Sequence, residues 1–225
     1  IILLATALAG IIFFDLDELF SYEMLKNNRE MVLNWYDNHR FLAIVGFFAF
    51  YALVVTLSVP GVVWLSLVAG FLMGTWAATL LVVAAATLGA SGIFLIARYA
   101  FADFFRQKTG SIGRKMEIGF QKNELSYLLV LRLVPIFPFW LVNLVPALLG
   151  VSVRTFVIGT FFGIIPGTAV FCSMGNGLGL FFDQGGVPDL KIIFEPEIIG
   201  PLMGLAVLSL IPSIFKKIKK LSNER

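Results

Sequence analysis

Residues 132–150, RLVPIFPFWLVNLVPALLG, place one arginine, one asparagine and three prolines in an otherwise apolar run long enough to cross a bilayer. An arginine carries a permanent charge and a planar fork of donors that matches the oxygens of a phosphate. At a helix centre in lipid it costs roughly 2.5–3.5 kcal/mol on insertion scales. Arg132 must therefore face carbonyls, a water cavity or an anionic ligand. One reading has it hold an anionic ligand such as a phosphate. The other has it snorkel to the cytoplasmic surface, or cap carbonyls freed by Pro135 and Pro138. Asn143 offers a similar choice: it lines a polar path, or it ties two chain segments together by hydrogen bonds.

Other chemistry is poorly provided for. His39 is the one histidine and flanks a span, where an interfacial role is expected. Cys172 is the one cysteine, which excludes an intrachain disulfide, and no thiol or histidine pair suggests a metal site. No Asp or Glu occurs between Arg40 and Ala102, or between Leu125 and Phe182, so a carboxylate proton relay has no candidate there. Ser66, Ser91, Ser126 and Ser173 have no histidine partner within the spans. Neither a cofactor nor a catalytic residue is expected, and an enzyme is the least supported class.

The elements that must position Arg132 follow from hydropathy. The chain has 225 residues, is 59% hydrophobic and has a mean hydropathy of +0.92, well above soluble domains. It reads as an all-α polytopic membrane protein. It starts at Ile1, so a cropped or processed N-terminus is expected. Residues 1–14 read as the remainder of a span, and 15–40 as an amphipathic helix lying at the interface. Apolar runs follow at 41–59 and 62–74, separated by Pro60-Gly61. A helix rich in small residues spans 76–99, and a polar, basic stretch covers 101–124. Then come 127–150, the apolar run 155–174, an acidic loop over 182–197, and a last span at 198–215 followed by KKIKK.

Charge sets the sidedness. Residues 98–122 hold Arg98, Arg106, Lys108, Arg114, Lys115 and Lys122, and the tail beyond 215 holds five more basic residues. With Arg154, these predict the cytoplasmic side. Segments 15–40 and 182–197 hold ten acids against four basic residues and belong outside. The pI of 9.1 therefore points to anionic lipid headgroups rather than nucleic acid. An odd number of crossings must join 15–40 to 98–122, which leaves 41–74 as a hairpin that enters and leaves on one face. By the same logic 127–150 returns to the inner face. Irregular backbone at membrane depth is tolerated only where protein buries it or water reaches it. Pro60-Gly61 and Pro135 to Pro138 are the expected tips. VPGVVWL (59–65) and VPIFPFWL (134–141) share Val-Pro ahead of Trp-Leu, and a long helix follows each, as in an inverted repeat.

These residues resemble the DedA superfamily, whose shared region is the VTT, or SNARE-associated Golgi protein, domain. The resemblance rests on Pro60-Gly61, AGFLMG (69–74), TLGASGIFLIARY (87–99), RLVPIFPFWLVN (132–143), Gly150, TFFGIIPG (160–167) and Gly175. It covers about residues 57–180 and looks most like the Tvp/Tmem branch. It implies two facing re-entrant loops and movement of phospholipids or lipid carriers between leaflets, with Arg132 as the functional arginine. Many bacterial members carry an acid just after the first Pro-Gly and a second arginine in the second loop. Here Val62 follows Pro60-Gly61, and Phe137 and Phe139 flank Pro138, which counts against proton coupling and undecaprenyl phosphate specificity.

The expected architecture is about four spanning helices with two facing re-entrant hairpins. Residues 1–40 form an N-terminal span and external segment, 41–180 the core with hairpins near 41–74 and 127–150, and 181–225 an external loop, last span and cytoplasmic tail. The expected path for a lipid phosphate includes Arg132, Asn143, Pro135, Pro138 and Arg98. Pro60, Gly61, Gly70, Gly74, Gly89, Gly150, Gly163, Pro166 and Gly167 are expected to shape the hairpins or permit close helix packing. The expected partners are membrane lipids, including anionic lipid phosphates. The expected membrane is the bacterial inner membrane, with thylakoid and Golgi as alternatives. A solute transporter and a membrane assembly factor are the rival readings.

Overall fold

A computed structural model of the chain describes residues 28–59, 61–121, 123–134 and 137–177, together with Ile199 and Met203. The expected first span, the external loop, the basic tail and all of the last span but Ile199 and Met203 lie outside these residues, as do Pro60 and Pro135. The described chain is all α-helical: α1 Arg29–Asn38, α2 Arg40–Thr56, α3 Val62–Met73, α4 Thr75–Gln121, α5 Glu124–Leu133, α6 Phe139–Leu148 and α7 Val153–Asn176.

Two of these helices are long and apolar enough to cross a membrane, Thr75–Phe101 within α4 and Val153–Asn176. The arms of the second hairpin are far shorter. At 1.5 Å per residue, the 10 residues of α5 and of α6 each reach about 15 Å, roughly half the hydrocarbon thickness. The helix breaks fall where the prolines predict them, between α2 and α3 and between α5 and α6. Ser58 (φ 53°) and Gly61 (φ 93°) are left-handed, and with them the chain reverses before α3 begins. Gly74 (φ 75°) alone separates α3 from α4.

One expectation on helix extent is corrected. The helix expected over 76–99 runs on through the basic stretch to Gln121, broken by the non-helical backbone of Gly110. Residues 101–121 contain no proline, so helix continues past the point where the composition turns polar and is interrupted only at Gly110. The interfacial segment is helical over α1, which meets α2 at a bend of 105°. Trp35 stacks on His39, with ring centroids 5.4 Å apart, and the Arg40 guanidinium lies 6.0 Å from the Tyr36 ring centre. Such aromatic and basic side chains suit the level of the lipid headgroups. His39 is exposed there, as an interfacial residue should be.

Contacts divide the chain into two compact units, Ile1–Gly89 with Thr168–Leu190, and Ala90–Gly167 with Lys191–Arg225. The first unit holds the α2–α3 hairpin, clasped by a 3.1 Å hydrogen bond between the buried Tyr51 and Ser66 hydroxyls. Small residues bring its helices together. A Cβ on Gly89 would collide with the Ala52 carbonyl and Val55, and the Thr56 hydroxyl shares its proton between the carbonyls of Ala52 (2.8 Å) and Gly89 (3.1 Å). Gly70 of α3 lies against the Cys172 backbone of α7, and Gly175 of α7 against the Leu67 backbone of α3. The second unit holds the α5–α6 hairpin, packed on the first part of α7. Leu128 and Arg132, one turn apart on α5, seat against Gly159 and Gly163, one turn apart on α7.

Candidate functional site

The site is built on Arg132, in the last turn of α5 just before the chain leaves the helix. Four features hold the side chain. Its stem lies on Gly163, where an added Cβ would come within 2.6 Å of the Arg132 Cβ. Its guanidinium lies 5.2 Å from the ring centre of Phe156, which is itself stacked on Phe94 at 4.1 Å. Its Nη2 donates to Asn143 Oδ1 at 2.7 Å and to Thr160 Oγ1 at 2.9 Å. Asn143 belongs to α6 and Thr160 to α7, so one nitrogen joins both arms of the hairpin to the helix behind them.

Asn143 and Thr160 are almost completely buried, at 0% and 1% exposed. Two donors remain over. Arg132 Nε and Asn143 Nδ2 are buried without a hydrogen-bond partner. An unpaired buried donor costs about 1–3 kcal/mol, more on a charged group. The cluster is therefore a cation with spare N–H groups, and no acid occurs between Leu125 and Phe182 to neutralise it. Its chemistry suits an acceptor-bearing anion.

To the sequence readings of Arg132, the geometry adds that Nη2 turns onto side chains of α6 and α7, Asn143 and Thr160. For Asn143 the geometry shows the tie between hairpin arms, and its unpaired amide leaves it able to meet a ligand as well. Arg98 is not part of this cluster. Its Nη1 donates to the Val151 carbonyl at 2.8 Å, fastening α4 to the segment that precedes α7. Glu124 strengthens the same base, because its carboxylate accepts from the Ser152 amide (3.1 Å) and hydroxyl (3.0 Å). Pro138 caps the start of α6 and is exposed. Gly61 caps α3, and Gly150 follows α6. Gly70, Gly89 and Gly163 pack closely as expected, whereas Gly74 is a turn residue with only Asn176 nearby, at 3.8 Å. Pro166 and Gly167 sit inside α7 without ending it.

The sequence marked Thr160 only as the first residue of TFFGIIPG, with no role assigned, and did not single out Phe156 or Gly159. Gly159-x-x-x-Gly163 is a small-residue spacing that marks a helix contact face, and Thr160 adjoins it. Phe156 is one of 23 phenylalanines, and its composition alone distinguishes nothing. Among the described residues, no group of three or more His, Cys, Asp or Glu could hold a metal ion.

Comparison with known proteins gives a consistent result. The VTT domain family matches residues 59–177, a stretch that contains both hairpins' tips and the whole Arg132 cluster. The chain is 31% identical over 205 residues to a Transmembrane protein 41 homolog of Dictyostelium discoideum, covering 88% of this chain and 58% of that protein. It is 31% identical over 178 residues to Transmembrane protein 41B of Homo sapiens, covering 77% and 59%. The Gallus gallus protein of the same name is 29% identical, with 77% and 64% covered. The chain thus spans about three-fifths of the length of these relatives. No solved structure matches it.

Proposed function

The chain belongs to the VTT-domain family of helical integral membrane proteins, and on that premise we propose that it moves phospholipids between leaflets. The observation that carries this reading is the Arg132 cluster. A cation stands on a hairpin arm half as long as the hydrocarbon is thick, with spare buried donors and no acid within reach in sequence. In the proposed mechanism, the break between α5 and α6 leaves backbone groups that admit water at depth. Arg132 holds the lipid phosphate there and lowers the cost of drawing it through a low-dielectric layer. The acyl chains stay in the bilayer. The hairpin core within 41–180 serves as the transport module, and the basic tail faces the cytoplasm.

The test uses purified protein in liposomes carrying a fluorescent phospholipid and an entrapped soluble dye. Dithionite bleaching well beyond half of the lipid signal, with the dye retained, supports lipid movement. Bleaching that stops near half while small solutes escape favours a solute transporter. Neither movement, together with a stable bound partner, favours an assembly factor.

A further inference from the structure

Thr160 lies on α7, one turn after Phe156 and three residues before Gly163, with almost none of its surface exposed. The terminal nitrogen Arg132 Nη2 has two protons. One goes to Asn143 Oδ1 and the other to Thr160 Oγ1. Those two acceptors fix the guanidinium's orientation, while Phe156 fixes its plane. Arginine has no acceptor, so Asn143 must turn its oxygen toward Arg132 and its amide nitrogen away. That nitrogen and Arg132 Nε are the groups left buried and unpaired. The surplus is made of donors only, and its placement depends on Thr160, which holds the second Nη2 proton.

We infer that Thr160 is a positioning residue that makes the Arg132 site selective for lipids bearing a phosphate, an inference that rests on the lipid-moving reading. A phosphodiester offers oxygens that accept without donating, which matches a donor-only cationic site. A sugar headgroup brings its own hydroxyl donors and no charge, and it gains less there. Without the Thr160 oxygen, one Nη2 proton is unpaired, the guanidinium turns more freely, and the spare donors are no longer held in place.

Full-length wild type, Thr160→Val and Thr160→Ser are compared in two measurements. Valine keeps the volume and removes the oxygen; serine keeps the oxygen. The first is nitrogen-15 NMR of the arginine Nη groups in micelles, with Arg132 assigned by the signal lost in Arg132→Lys. Wild type and Thr160→Ser should show distinct, slowly exchanging Nη signals that Thr160→Val lacks. The second is the ratio of fluorescent phosphatidylcholine to fluorescent glucosylceramide movement in liposomes. The ratio should fall toward one in Thr160→Val and hold in Thr160→Ser. An unchanged NMR signature in Thr160→Val overturns the positioning role. Equal slowing of both lipids overturns the selectivity and leaves a structural role. If wild type moves neither lipid while the signature still responds, the lipid-moving reading and the selectivity fall together and the positioning stands.

Discussion

At the scale of the residue, the question is how an arginine can be kept in a membrane. Insertion of the charge costs roughly 2.5–3.5 kcal/mol. Hydrogen bonds from a charged group return about 1.5–3 kcal/mol each, and Arg132 makes two of them, to Asn143 and Thr160. A desolvated cation–π contact such as that with Phe156 adds up to about 2 kcal/mol. The site is thus affordable to the fold without a carboxylate, which leaves the positive charge for a ligand. Asn143→Asp should abolish that availability. A carboxylate beside Arg132 would pair with it, so lipid movement should drop to that of protein-free liposomes while thermal unfolding in detergent stays within a few degrees of wild type. Arg132 and Asn143 were both legible in the sequence as polar residues in an apolar run. Their bond was not, because the break at 134–138 separates them and its geometry decides whether residues 11 apart meet. Thr160 stood in the quoted TFFGIIPG motif, but its bond to Arg132 was hidden because a threonine in a membrane helix can always satisfy itself on its own backbone.

At the scale of the element, glycine contacts decide how closely the helices approach. Gly89→Ala should lower stability by about 1–3 kcal/mol, since the new methyl meets the Ala52 carbonyl and Val55. Gly46→Ala is the matched control. Nothing lies within 4 Å of that position, and the variant should be neutral or gain up to about 1 kcal/mol. Both are read by thermal unfolding in detergent. The clasp of the first hairpin is neutral where that of the second is cationic. Tyr51→Phe removes its hydrogen bond to Ser66 and should cost only about 0.5–1.5 kcal/mol by the same assay. The helix breaks were legible because proline removes a donor and glycine allows left-handed backbone. The continuation of helix to Gln121 was not, because a basic composition reads as a loop although it holds no proline and only Gly110 interrupts the helix.

At the scale of the whole molecule, the Lys/Arg bias predicts opposite sides for α1 and for the basic end of α4. In a Cys172→Ala background, Asp37→Cys should react with an impermeant maleimide from outside intact cells. Gln107→Cys should react only after permeabilisation. Both positions are exposed, so equal labelling from outside would contradict the parity that calls for re-entrant hairpins. The charge bias behind that expectation is counted along the chain; the packing of each hairpin on α7 was not legible, because it depends on glycine notches that lie far apart in sequence. The central claim is that one half-buried cation carries lipid phosphate through the membrane. Its most direct test is dithionite bleaching of a fluorescent phospholipid in liposomes holding wild type or Arg132→Ala at equal, verified insertion. Bleaching well past half for wild type and near half for Arg132→Ala is the expected result; equal bleaching past half for both would contradict it.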